Sequence, residues 1–141
     1  MNLDQLRAQA NKMRRRDVQA VFAAGAGHIG GEMSVMDLLT ALYFKVLSVD
    51  PTVPNDPKRD RFVLSKGHAA LALYIVLSEK GFIPKDEISS FLKPHSRLNG
   101  HPNRTKVPGV ETNTGPLGHG LPIAVGMAQA AKLNGDDWRT F

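Results

Sequence analysis

The chain has 141 residues, and its 18 Lys and Arg side chains against 13 Asp and Glu give a formal net charge of +5 at pH 7. The absence of cysteine excludes a disulfide scaffold, thiolate metal sites, iron–sulfur clusters and a cysteine nucleophile. No apolar run approaches the ~20 residues of a membrane span, and the first residues have no signal-peptide core, so we expect a cytoplasmic protein with no membrane contact.

The first predicted element is an amphipathic helix over Leu3–Ala24, where apolar residues recur close to every 3.6 positions. Its three consecutive arginines point in different directions, and basic residues are otherwise spread evenly, so we expect no nucleic-acid partner. A glycine-rich loop follows over residues 25–31. Ser34 and Asp37 then have the spacing of a capping box, which predicts a second helix from Ser34 through Val46.

The middle of the chain predicts a strand followed by helices. The segment Arg61-Phe62-Val63-Leu64-Ser65 has the composition of a short buried strand. Residues 69–80 are helical by composition, and Gly81 is placed to end that helix. Pro84 fits the first turn of a further helix over residues 85–92.

The last third of the chain opens with a long segment rich in glycine and proline, residues 93–120. A loop of this length inside a compact domain usually carries function. Pro122 predicts the start of a helix over residues 123–133, and residues 138–141 begin a second strand. The alternation predicts an α/β fold in one domain, residues 1–141, whose parallel sheet is incomplete because only one strand is convincing.

Four of the five histidines stand beside glycine, and none lies on an apolar helical stripe; the four are His28, His68, His101 and His119. Glycine allows close backbone approach to a ligand, and histidine can donate to a phosphate or move a proton near neutral pH. One such pair is more often a turn glycine beside an incidental histidine. Four pairs favour a ligand site.

Two loops are the candidate ligand-approach segments. Ser65-Lys66-Gly67-His68 stands between the predicted strand and a helix, where free helix N–H groups favour an anion such as a phosphate. Gly115-Pro116-Leu117-Gly118-His119-Gly120 precedes the last helix. Neither has the spacing of a Walker loop, and the chain has no zincin motif or nucleophile elbow. The histidine spacings also match no local metal template.

Four motif groups carry a family resemblance: Gly27-His28-Ile29-Gly30-Gly31, residues 60–69, Leu98-Asn99-Gly100-His101-Pro102, and residues 108–120 followed by 124–128. In their order and intervals they resemble the N-terminal, diphosphate-binding part of thiamine-diphosphate-dependent transketolases. The form in which the enzyme is split between two polypeptides is the most similar. The likeness extends from about Leu6 to Phe141.

The resemblance implies a thiamine diphosphate-binding fold, a parallel sheet flanked by helices, of which this chain holds the helix-rich N-terminal part. It implies that His68 contacts the cofactor diphosphate and that Gly115-Pro116-Leu117 lines the cofactor. His28 and His101 would face the thiazolium, bind substrate hydroxyls and assist proton transfer. The implied reaction moves a two-carbon ketol unit from a ketose phosphate to an aldose phosphate, as in the pentose phosphate pathway.

The chain departs from the family pattern at Ala26, where serine is common, and at His119, where glutamine is usual. The family's Mg²⁺ or Ca²⁺ motif, Gly-Asp-Gly with a later asparagine, does not occur, and Gly135-Asp136-Asp137 precedes the strand instead of following it. We therefore expect no metal ligands in these residues and weak cofactor binding by them alone. The resemblance implies a transketolase C-terminal subunit as a partner. We also expect further copies of the chain to associate, because an incomplete sheet exposes an edge.

Two other functions are compatible with the same motifs. The chain could be a non-catalytic binding or assembly module derived from this fold. It could also belong to a related thiamine diphosphate enzyme such as deoxyxylulose-phosphate synthase. Ketol transfer with an added C-terminal subunit separates the enzyme from the module, and release of carbon dioxide from pyruvate identifies the synthase.

Overall fold

Helices are the regular elements of the computed structural model, which describes all 141 residues. The α-helices are α1 (Leu3–Ala24), α2 (Ile29–Ala41), α3 (Ala70–Lys80) and α4 (Gly120–Asn134). A wider π-helical turn, Leu42–Val46, continues α2, and short 3-10 segments span Gly67–Ala69 and Asp86–Ser90. None of the helices combines the length and the apolar character that crossing a bilayer requires.

The bounds predicted for α1 are confirmed, and both ends have a local cause. At the start, the Asn2 side chain accepts the Gln5 backbone N–H while the Gln5 side chain accepts that of Asn2, a reciprocal capping box. At the end, Gly25 adopts a left-handed conformation with φ of 67°. Between them, α1 buries Ala10, Met13 and Asp17.

The predicted start of α2 is wrong, because the helix begins at Ile29 and not at Ser34. The side chain of Glu32 accepts the backbone N–H of His28 at 3.2 Å, which satisfies a free donor at the helix start. The Ser34 hydroxyl donates back to the Gly31 carbonyl and so does not cap a helix. Part of the predicted glycine loop is therefore the first turn of α2.

The centre of the core is α3, whose residues from Ala70 to Ser78 are all buried. The helices α1 and α2 pack on it, and apolar residues of the segment that follows α3 complete the core; they include Phe82, Phe91, Leu98, Val107 and Val110. Burial of each large apolar side chain contributes about 1.5–3 kcal/mol. Gly81 ends the helix as predicted, with φ of 104°.

The predicted strand over residues 61–65 does not form, and a single parallel bridge joins Arg61 to Thr140. The Arg61 N–H donates to the Arg139 carbonyl at 2.8 Å, and the Phe141 N–H donates to the Arg61 carbonyl at 2.9 Å. The two segments predicted as strands therefore lie side by side. They form no ladder, because each has one short pairing edge and no further neighbour, so the predicted sheet is not present in these residues.

The later elements differ in length from those predicted. In place of a helix over residues 85–92 there is the shorter 3-10 segment Asp86–Ser90, and no helix or strand lies between it and α4. The start of α4, Gly120, puts Pro122 in its first turn, and Gly135 ends it with φ of 73°. Leu121, Val125 and Leu133 of α4 are 60–77% exposed, so most of this helix has no packing partner in the chain.

Asp60 links the bridged segments to the end of the helical core. Its buried carboxylate accepts the backbone N–H groups of Ser48 and Arg139 at 2.9 and 2.8 Å and the Arg139 guanidinium at 2.6 Å. Burial by itself would raise the pKa of Asp60, but these hydrogen bonds outweigh it and hold the pKa below its ordinary value.

Replacing Asp60 by Asn is therefore expected to lower the free energy of unfolding by about 1.5–3 kcal/mol at neutral pH, the usual worth of hydrogen bonds to a charged group. A depressed pKa contributes stability that is lost as pH falls through it, so the difference from wild type shrinks in acid. Urea unfolding at neutral and acid pH measures both effects. The exposed Asp137→Asn is the matched control, and equal losses in the two variants would contradict this role.

Candidate functional site

Three of the predicted histidines form one cluster of rings. The rings of His28 and His68 are 4.9 Å apart at 79°, and those of His68 and His101 are 4.6 Å apart at 81°. His28 precedes α2, His68 lies in the 3-10 turn before α3, and His101 lies in the long loop. Three chain segments that are far apart in sequence thus bring their imidazole rings into contact.

His68 is the central ring, and part of its hydrogen-bonding capacity is unused. Its Nδ1 is buried and has no partner, and the Oγ1 of the nearby buried Thr114 also has none. Buried polar atoms normally have a partner, so two orphans at one place are typical of a site that receives a polar ligand. An anionic ligand group would supply the acceptor for a His68 ring N–H.

The two predicted ligand-approach loops lie against each other through glycines. A Cβ added to Gly67 would lie 2.5 Å from the carbonyl carbon of Thr114, and one added to Gly120 would lie 2.5 Å from the Cα of Ser65. A Cβ on Gly115 would lie 3.3 Å from the His101 ring. Glycine at these positions lets the loops approach closely and brings Gly115 beside the histidine cluster.

Lys66 and Tyr74 hold the backbone around the cluster. The Lys66 ammonium donates to the Gly31 carbonyl at 2.9 Å and to the Ser34 hydroxyl at 2.6 Å, which ties the turn before His68 to α2. The Tyr74 hydroxyl of α3 makes 3.0 Å contacts to the carbonyls of Asn99 and His101. Sequence reasoning missed both roles, since neither contact has a local pattern.

The cluster favours the neutral form of His101. Burial lowers the pKa of His101 below its ordinary value, and the neighbouring His68 and His28 lower it further. At neutral pH the ring of His101 can therefore accept a proton from a bound molecule. An anion bound among the histidines would raise the pKa again by stabilising the charged form.

The remaining predicted site residues lie outside the ring cluster. Pro116 and Leu117 follow Gly115 on the exposed side of the loop, and Leu117 is 68% exposed. His119 is exposed, with Nδ1 3.4 Å from the Leu117 carbonyl, and it makes no ring contact with the other histidines. The exposed faces of Pro116 and Leu117 leave apolar surface free beside the cluster.

The side chains present fit a diphosphate better than a metal ion. The orphaned His68 Nδ1 and Thr114 Oγ1, with the glycine-lined loops beside them, suit an oxygen-rich anion. No group of three or more His, Cys, Asp or Glu side chains could hold a metal ion. Anion binding by these residues therefore depends on ring N–H, hydroxyl and backbone donors.

Comparison with known proteins gives one family. The profile of the family described as transketolase, thiamine diphosphate binding domain, matches residues 5–139. The crystal structure of transketolase from Campylobacter jejuni matches with a TM-score of 0.87 and 39% identity, over 94% of this chain and 21% of that one.

Two curated relatives are named as subunits of transketolases. An apulose-4-phosphate transketolase subunit of Phocaeicola vulgatus is 49% identical over 141 residues, which cover 100% of this chain and 50% of that protein. The 6-deoxy-6-sulfo-D-fructose transketolase subunit SqwG of a Clostridium species is 40% identical over 129 residues, 92% of this chain and 47% of that protein. The chain spans about half the length of these relatives.

Proposed function

The chain belongs to the transketolase, thiamine diphosphate binding domain family, and we propose that it forms the cofactor-binding part of a transketolase that is split between two polypeptides. The observation that carries the proposal is the edge-on cluster of the His28, His68 and His101 rings, in which a buried ring nitrogen of His68 has no partner. The proposed fold is the family's parallel sheet flanked by helices, to which the bridged segments at Arg61 and Thr140 would contribute edges.

In this function His68 donates a ring N–H to the cofactor diphosphate. Its orphaned Nδ1 supports this role, because a bound acceptor satisfies it. Gly115-Pro116-Leu117 lines the cofactor, with Gly115 giving close backbone approach and Leu117 giving exposed apolar surface. Thiamine diphosphate, when bound, supplies the carbanion chemistry that the side chains of this chain lack.

His28 and His101 bind the hydroxyl groups of a sugar phosphate and move protons beside it. The neutral His101 can accept a proton from a substrate hydroxyl, which is general base catalysis at a pH near its lowered pKa. The His28 ring also contacts the His68 ring, from its position just before α2. Both rings thus contact His68, which places them close enough to bind the same substrate molecule.

The relatives that are named as subunits support the proposed partners. We expect a transketolase C-terminal subunit, ketose and aldose phosphates as substrates, and assembly into a homo-oligomer in the cytoplasm. The exposed apolar side chains of α4 give such an assembly surface to bury. Mg²⁺ or Ca²⁺, which commonly neutralises a diphosphate, would take its ligands from residues other than these.

Reconstitution tests the function directly. The chain is combined with a candidate C-terminal subunit, thiamine diphosphate and Mg²⁺, and products from a ketose phosphate and an aldose phosphate are identified by mass spectrometry. We expect ketol transfer only when both polypeptides and the cofactor are present. If no ketol transfer occurs with a partner that is otherwise competent, a non-catalytic binding module is favoured. Release of carbon dioxide from pyruvate would favour a relative of deoxyxylulose-phosphate synthase.

A further inference from the structure

Two fully buried carboxyl groups meet behind the histidine cluster. Asp17 lies on the buried face of α1, and Glu32 lies in the first turns of α2; both residues are 0% exposed. The Asp17 carboxyl is within hydrogen-bonding reach of that of Glu32. Acidic side chains are rarely this buried without a cation, so the pair requires a physical explanation.

Most carboxyl oxygens of the pair have no hydrogen-bond partner. The Oε1 of Glu32 accepts the backbone N–H of His28 at 3.2 Å, while Oε2 and both carboxyl oxygens of Asp17 have no partner. Neither carboxyl takes part in an ion pair. Two ionised carboxylates facing each other in a dry interior would be very costly, whereas one proton between them supplies the missing donor.

The surrounding charges are engaged elsewhere. The charged side chains on the packed elements bind one another or a ring: Arg14 with Asp37, Lys12, Arg16 and Lys85 with Glu79, Lys80 with Phe44, and Glu87 with Arg97. Lys66 is held by the Gly31 carbonyl and Ser34. The His68 ring contacts the rings of His28 and His101 edge-on. Of these groups, His28 alone acts on Glu32, mainly through its backbone N–H.

We propose that Asp17 and Glu32 share one proton at neutral pH and that this pair is a positioning element that anchors His28 at the start of α2. The protonated carboxyl donates its O–H to an oxygen of the other, which fixes the Glu32 side chain. Glu32 in turn holds the His28 N–H and so sets the direction in which the His28 ring leaves the helix. The catalytic consequence rests on the proposed function, but the shared proton does not.

The protonation behaviour supports the geometry. Burial first, and then the charge and hydrogen bond of the neighbouring Glu32, together raise the pKa of Asp17 from 3.8 to about 7. Burial also raises the pKa of Glu32, although the His28 N–H opposes the rise. Because the folded-state pKa is raised, the stabilising effect is fully present below the unfolded value and is lost as pH rises through about 7.

The Glu32→Gln variant tests the shared proton. Its amide oxygen can still accept the His28 N–H while its amide nitrogen donates to Asp17, so no proton is needed. We expect urea unfolding of the wild type to show stability falling from about pH 4 to about pH 7, between the unfolded and folded pKa values of Asp17, and Glu32→Gln to reduce that fall because its amide donates to the ionised Asp17. A ¹³C NMR titration of the Asp side-chain carboxyls should show one group titrating near pH 7 in the wild type.

The matched control is Asp37→Asn. Asp37 is an exposed aspartate between the same two helices, and its hydrogen bond from Arg14 lowers its pKa. This variant should keep the neutral-pH slope. The shared proton is overturned if no Asp carboxyl titrates near neutrality, or if Glu32→Gln retains the slope of the wild type.

The positioning role is tested in the reconstituted complex. Glu32→Ala removes the acceptor of the His28 N–H and should lower kcat/KM by about 10–100-fold through misplacement of the ring. Near neutral pH, Glu32→Gln should keep kcat/KM within about threefold of wild type. Above pH 7 the wild type loses the shared proton and with it activity, and Glu32→Gln should retain that activity. Equal activity of Glu32→Ala and wild type would overturn the positioning role. The complex could show the expected pH dependence of stability and the expected NMR titration but no ketol transfer. That result would refute the proposed function and leave the shared proton supported.

Discussion

The Gly67→Ala variant should lose the contact between the two site loops and much of the stability of the chain. The added Cβ would lie 2.5 Å from the Thr114 carbonyl carbon and 2.6 Å from the Gly115 nitrogen. Both are backbone atoms that cannot rotate away, so the loops must separate. Overpacking of this kind costs about 1–3 kcal/mol, and we expect a value at the upper end because no flexible side chain can yield.

The matched control is Gly31→Ala, also beside the histidine cluster. There the added Cβ meets its nearest atom, the Ala69 Cβ, at 3.9 Å, an ordinary contact, and Gly31 lies within α2. Alanine in a helix is favoured over glycine by about 1 kcal/mol, so this variant should be as stable as wild type or more so. Urea unfolding of both variants measures this difference in stability. If Gly67→Ala unfolds at the same urea concentration as Gly31→Ala, the close packing of the loops is wrong.

The His68→Ala variant should lose thiamine diphosphate binding with little loss of stability. Removing a hydrogen bond to a charged group costs about 1.5–3 kcal/mol, which is about 10–150-fold in affinity. The unfolding free energy should fall less, because the Nδ1 of His68 has no partner in the chain to lose. Calorimetry with thiamine diphosphate and Mg²⁺, on the complex with the C-terminal subunit, measures the affinity.

His95→Ala is the control, since His95 is exposed and makes no ring contact with the cluster. It should bind the cofactor like wild type. His68→Ala should also raise the pKa of His101, because the neighbouring ring and the burial that lower it are both reduced; a ¹H NMR titration follows this. Unchanged affinity in His68→Ala, or an equal loss in His95→Ala, would remove His68 from the diphosphate site.

Elements with strong local signals were predictable from the sequence. The bounds of α1 are confirmed at Leu3–Ala24, and Gly81 ends α3 as predicted. Each of these depends on a residue's own conformational preference, such as the left-handed backbone that glycine adopts without strain. The start of α2 was missed because its N-cap, His28, makes no side-chain capping hydrogen bond, whereas Ser34 and Asp37 have the spacing of a capping box; the His28 N–H is bound by the Glu32 side chain instead.

The family, too, was determined by the sequence, because its motifs keep their order and spacing along the chain, and the match over residues 5–139 confirms it. The tertiary structure alone decided which of the histidines meet and that Gly67 packs on Thr114. It also decided that Asp17 faces Glu32 and that the two bridged segments form no sheet. These are contacts between residues far apart in sequence. No local pattern specifies them, because they depend on how the helices pack and which backbone edges find a neighbour.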